Sequence, residues 1–190
     1  MKTLRAIVTI LLAAALSTQA ANVLCIGLND YARYPDLKHA ENDAVAMATM
    51  FKGMGDTVTL LTGEKANLAA VLSALATKPA LVYFAGHAET GRLMLQDGVV
   101  ELAAIADAGT MMLLDCCYIG RGLKTVGTMK ILAASEYEAF ESGEHGLFTK
   151  YLLTWMGDGK ALAGDALTAY LEKNIRAETG GWQKPVLGFI

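Results

Sequence analysis

A cysteine attacks a carbonyl carbon as a thiolate, and it needs a base within reach to become one. Two apolar runs of this chain end on that pair of side chains: Leu81-Val82-Tyr83-Phe84-Ala85-Gly86-His87 finishes on an imidazole, and Met111-Met112-Leu113-Leu114-Asp115-Cys116-Cys117 on a thiol. If the runs are neighbouring strands of a parallel sheet, both side chains leave it at the same carboxyl edge, where open α/β folds place their ligands. Gly86, Gly120 and Gly122 permit tight turns there that free backbone N–H groups to hold an oxyanion, and the N–H groups of Cys117 and Ala88 are the candidates. Cys25, inside the apolar run from Val23 to Leu28, reads as a small buried hydrophobe.

Such a pair needs a scaffold, and the hydrophobic pattern supplies one. Strands are expected at 23–27, 57–61, 80–85, 110–114, 130–134 and 185–189. Between them apolar residues recur at helical spacing: Ala44, Met47, Ala48 and Phe51; Leu68, Val71, Leu72 and Leu75 behind a capping Asn67; Phe148, Tyr151, Leu152 and Trp155; and Leu167, Tyr170, Leu171 and Ile175. A weaker helix is expected at 102–106, and His145 is expected to begin one. Continuous apolar strands alternating with one-faced helices predict an α/β protein, a three-layer αβα sandwich around a mostly parallel six-stranded sheet.

At 190 residues and 54% hydrophobic, the chain has material for one sizeable core. Lys2 and Arg5, the apolar run from Ala6 to Ala15 and the small residues of Thr18-Gln19-Ala20 read as a secretory signal over 1–20, leaving a single domain over 21–190. The expected location is therefore outside the cytoplasm, periplasmic or secreted, with no membrane attachment once the signal is cut. Residues 1–20 hold two basic residues and no acidic one, so their removal moves the formal net charge from −3 to −5. That charge, with no basic run, argues against nucleic acid as a partner. Three cysteines are an odd number for an exported chain, which leaves at least one free thiol.

The motifs resemble those of the caspase-like cysteine peptidases, and of bacterial metacaspases in particular. Tyr83-Phe84-Ala85-Gly86-His87 is similar to the family's aromatic-rich strand into Gly-His, and Asp115-Cys116-Cys117-Tyr118-Ile119-Gly120 resembles its Asp-x-Cys-His-Ser-Gly. The flanks agree: Ile26-Gly27-Leu28-Asn29-Asp30-Tyr31, Asn42-Asp43-Ala44, Ile131-Leu132-Ala133-Ala134-Ser135, His145-Gly146-Leu147-Phe148-Thr149 and Gln183-Lys184-Pro185-Val186-Leu187 follow in the family's order. The resemblance implies a cysteine endopeptidase of protein or peptide substrates with Cys117 as nucleophile and His87 as general base and acid. Its register selects Cys117 over Cys116, which occupies the last alternating strand position and can fill a helix layer. It also implies a preference for Arg or Lys before the cut bond, through Asp43 and Asp115, since two carboxylates attract a cation and repel an acidic side chain. The alternative for these two is structural, Asp43 capping its helix and Asp115 a buried, hydrogen-bonded strand residue.

Departures from the pattern are specific. Tyr118 and Ile119 replace His-Ser, and Ala88 stands where the family has Gly. They keep open a second reading, an exported caspase-like binding module without turnover. A third reading is a redox-responsive domain using adjacent Cys116 and Cys117, whose disulfide would be strained. No carboxylate cluster near Glu89 and Asp97 is dense enough for calcium, and neither metal nor cofactor is expected. Arg121 and Lys124 fit the basic preference as sites of self-cleavage, although the short segment from Tyr118 to Met129 favours an uncut chain. His39 and His145 are assigned no catalytic role.

Overall fold

In the computed structural model, the structure describes residues 20–105, 111–121, 123–124, 130–162 and 165–189. In chain order the elements are β1 (Asn22–Gly27), α1 (Ala40–Gly53), β2 (Thr57–Thr62), α2 (Leu68–Leu75), β3 (Leu81–Ala85), β4 (Ala88–Glu89), β5 (Arg92–Met94) and β6 (Val99–Glu101). They continue with α3 (Leu102–Ile105), β7 (Met111–Asp115), β8 (Lys130–Ala133), β9 (Glu141–Ser142), β10 (His145–Gly146), α4 (Leu147–Gly157), α5 (Asp165–Glu178) and β11 (Val186–Phe189).

Six strands form one sheet in the order β11-β8-β7-β3-β1-β2, mixed because β11 runs antiparallel to β8 while the other pairings are parallel. The central strands alternate between two cores, as a period of two requires. Leu24, Ile26, Val82, Phe84, Met112 and Leu114 face a layer holding Val71 of α2 and Leu102 and Ile105 of α3. Val23, Cys25, Tyr83 and Leu113 face the opposite layer, with Met47 and Phe51 of α1, Phe148 and Leu152 of α4, and Leu171 and Ile175 of α5. Burial on both faces is why these strands read as unbroken apolar runs.

All six expected strands are present, with ends shifted by a residue at most among the described positions. Thr110, Ala106 and Gly122 lie outside those positions, as does nearly all of the expected signal segment. Two small units were not expected: the antiparallel β4-β5-β6 sheet directly after His87, and the β9-β10 hairpin. The second corrects one reading. His145 does not begin a helix; it lies on β10 opposite Ser142 of β9, and α4 starts two residues later. Gly143, at φ +71, turns the hairpin, and a two-residue strand is too short to leave a periodic trace.

Candidate active site

The parallel pairing of β3 and β7 sets Ala85 opposite Asp115, so Gly86-His87 and Cys116-Cys117 leave the sheet side by side at its carboxyl edge. The Gly86 N–H donates to the Asp115 carbonyl at 3.4 Å and joins the two exits. His87 and Cys117 line one narrow cleft together with Asp43, Asp115, Phe140 and Glu141. Cys116 points the other way, 3% exposed and packed in the core. All three cysteines are free thiols.

The loop after β1 fixes the imidazole. His87 Nε2 lies 2.7 Å from the Pro35 carbonyl oxygen, which only accepts, so Nε2 carries the proton and the neutral ring keeps its lone pair on Nδ1. Tyr31 braces the same residue twice, its hydroxyl accepting the His87 backbone N–H at 2.9 Å and its ring meeting the imidazole edge-on at 4.7 Å. Tyr34 approaches at 5.5 Å. Tyr31 lay inside a stretch noted in the sequence without a role, and Pro35 contributes a main-chain oxygen that no side-chain motif reveals.

Cys117 Sγ accepts the Ala139 N–H at 3.3 Å and makes no hydrogen bond to His87 among the described residues. Burial pushes the thiol up from its ordinary value, the charges of Asp115, Glu138 and Glu141 push the same way, and the Ala139 N–H opposes them. Burial and these charges favour the thiol over the thiolate, so a base that takes the proton as the sulfur attacks would help it.

Backbone donors stand nearby. Met94 N–H donates to the His87 carbonyl, and with Ala88 opposite Leu93 the ladder makes 88 and 93 a non-hydrogen-bonded pair. The Ala88 N–H thus points away from β5. The Cys117 N–H has no acceptor among the described residues.

Both aspartates border the cleft, on partners the sequence did not disclose. Asp43 lies in the first turn of α1 but does not cap it: its carboxylate accepts His145 Nδ1 at 2.6 Å and the Gly146 N–H at 3.0 Å. Asp115 Oδ2 accepts the Thr149 N–H at 3.1 Å and its hydroxyl at 2.6 Å, and the buried Tyr83 hydroxyl meets Thr149 Oγ1 behind it. Gly146 is required where the hairpin crosses this pair, since a Cβ there would come within 2.5 Å of Asp115 Oδ2. Burial, then neighbouring negative charge, raises both carboxyls to about 7: Glu141 acts on Asp43, and Asp43 with Glu141 on Asp115, against the opposing N–H and hydroxyl donors. His145 thus supports an acidic wall, while His39 pairs with Glu141 at 3.7 Å at the rim. Among the described residues no group of three or more His, Cys, Asp or Glu is placed to hold a metal ion, and no helix is long and apolar enough to cross a membrane.

The caspase-domain family model matches residues 21–187. Among solved structures the chain is similar to a protein from Geobacter sulfurreducens, with a TM-score of 0.71 and 15% identity, over 90% of this chain and 94% of that one. At that identity the likeness is one of fold. A comparison with curated proteins finds no match. The family match runs from the first strand into the last and takes in the thiol, the imidazole and both aspartates, so the chain belongs to the caspase-domain peptidase family.

Proposed function

We propose that this protein is an exported cysteine endopeptidase that cuts after Arg or Lys. The observation that supports it is the meeting of the His87 imidazole, the Cys117 thiol and two buried carboxylates in one cleft. In the reaction, Cys117 Sγ passes its proton to His87 Nδ1 as it attacks the scissile carbonyl carbon, while Nε2–H stays on the Pro35 oxygen. The N–H groups of Cys117 and Ala88 receive the developing oxyanion. His87 then gives its proton to the leaving amine, and water hydrolyses the thioester. Asp43 and Asp115 hold the guanidinium or ammonium of the residue before the cut.

Peptide amides with Arg, Lys or Asp before the cleaved bond test this. Arg and Lys peptides should be hydrolysed, Asp peptides spared, and Cys117→Ala should lose turnover by at least about a thousandfold. Hydrolysis after Asp alone rejects the pocket, and undiminished activity in the variant rejects the nucleophile. One observation favours the second reading, a binding module without turnover: the Ala139 N–H occupies the Cys117 sulfur, and burial pushes the thiol up from its ordinary value. Alkylation separates the two. Labelling of Cys117 that rises with pH and slows in His87→Ala marks a working dyad, whereas equal labelling of both proteins marks the binding module.

A further inference from the structure

Beside the catalytic cleft lies a second hollow of about 440 Å³, walled chiefly by Tyr118, Arg121, Tyr137, Phe140, Trp182 and Lys184. Its aromatic side chains are unusually open to water, with Trp182 75%, Tyr137 48% and Phe140 39% exposed. Grouped exposed apolar area of this kind marks binding surface more often than chance packing. The wall is also held in shape. Tyr118 sits at φ +60, a region few side-chain-bearing residues occupy, and its N–H donates to the Tyr137 carbonyl at 2.7 Å. The Arg121 guanidinium lies 4.7 Å from the Tyr118 ring and 5.4 Å from that of Tyr137, while its Nε–H donates to the Glu136 carbonyl at 2.8 Å. Arg121 is thus held as part of the wall.

Two observations tie the hollow to the substrate path. Phe140 lines both the hollow and the cleft, and Tyr118 directly follows Cys117. The charges also differ in sign: Arg121 and Lys184 outnumber Glu138 here, whereas Asp43, Asp115 and Glu141 make the cleft acidic. Tyr118, which builds one wall, is this chain's own departure from the family motif. An extended peptide advances about 3.3 Å per residue, so a side chain one or two positions from the attacked carbonyl reaches a wall adjoining the nucleophile.

We propose that this hollow is a subsite for an aromatic side chain of the substrate, so that the protein acts at an isolated basic residue flanked by an aromatic one and not within runs of basic residues. The proposal rests on the peptidase reading for the position of the cut bond. Its test does not require turnover: calorimetric binding to Cys117→Ala of peptide amides that carry one Arg and, at each flanking position in turn, Tyr, Ala, Asp or Lys. Tyr at one position should tighten binding about tenfold over Ala. Adding Trp182→Ala, or Tyr118→Gly, which suits the left-handed backbone, should cut that gain, taken as the ratio of Tyr-peptide to Ala-peptide affinity in the same protein, below about twofold. Equal affinity for Tyr and Ala peptides at every position, or a gain that survives both substitutions, overturns the subsite. Lys binding as well as Tyr overturns the exclusion of basic runs. Hydrolysis by the unsubstituted protein separates the two claims: aromatic-dependent binding without cleavage rejects the peptidase and keeps the subsite, and cleavage indifferent to aromatic neighbours does the reverse.

Discussion

Two carboxyls buried on one cleft wall make the proposed preference depend on pH. Unfolded, Asp43 and Asp115 ionise near the ordinary value of about 3.9, whereas in the fold burial first, then the charge of Glu141 on Asp43 and of Asp43 and Glu141 on Asp115, raises both to about 7. Between those values the folded chain holds more protons, so this pair's contribution to stability is full at low pH and is lost as pH rises through about 7. Binding of a cation runs the opposite way, because a guanidinium needs the pair ionised. KM for Arg peptides is therefore expected to fall as pH rises from 5.5 to about 8. Asp115→Asn should flatten that profile, lower kcat/KM on Arg peptides by about 30- to 100-fold, and raise the urea midpoint at pH 8 more than at pH 5. A steep KM profile surviving in Asp115→Asn would reject the pocket. At this scale the meeting of the Cys117 thiol and the His87 imidazole in one cleft was legible, because both groups are side chains that the sequence spells. The N–H groups of Cys117 and Ala88 could be named as candidates beside the motif, whereas the Pro35 carbonyl that holds His87 was not foreseen, since main-chain atoms are ones that every residue owns. The engagement of Asp43 by His145 was illegible because 102 positions separate the two residues.

Elements carry these residues by contact, and the contact most exposed to a small change is that of β1 with α1. A Cβ at Gly27 would lie 2.3 Å from the Ala40 carbonyl oxygen and 2.7 Å from the Ala44 Cβ. Backbone cannot rotate away as a side-chain tip can, so Gly27→Ala must push the start of α1 off the sheet, and Asp43 with it. The expected cost is about 1–3 kcal/mol by chemical denaturation. It should come with a rise in KM for Arg peptides that exceeds any fall in kcat, since the helix bears Asp43 of the proposed pocket and not the thiol. Unchanged stability and KM would show that α1 tolerates the displacement. The same contact logic explains what could be read of the elements. β1, β3 and β7 are covered on both sides, so their sequences are continuously apolar. The strands β4, β9 and β10, of two residues each, have no room for a pattern, and they were invisible although β4 holds Ala88 and β10 holds His145.

Across the whole molecule, the first described strand starts beside the end that the proposed export would leave. Residues 1–19 lie outside the described positions, and among the described residues Ala21 is the first with a hydrogen bond to the rest of the fold. Its N–H donates to Asp56 Oδ1 at 3.0 Å, and its carbonyl accepts the Thr57 N–H at 2.9 Å at the edge of the sheet. If the signal is cut after Ala20, as we propose, that amide becomes an ammonium on a carboxylate already in place, and a hydrogen bond with a charged acceptor alone becomes an ion pair. The group is near the surface, so the gain is modest, about 0.5–1 kcal/mol at low ionic strength, and it shrinks with added salt. A cycle of four proteins measures it: the chain beginning at Ala21, its N-acetylated form, and each with Asp56→Asn. Acetylation should destabilise the parent and barely affect the variant. The pairing raises the amine above its free value of about 7.7–8.0, so the difference between parent and acetylated forms should be full below that range and vanish as pH climbs through the raised value. Sequencing of the exported protein should return Ala21 as first residue. A mature end elsewhere, or equal effects of acetylation in both backgrounds, would separate the fold's first anchored residue from the site of cleavage.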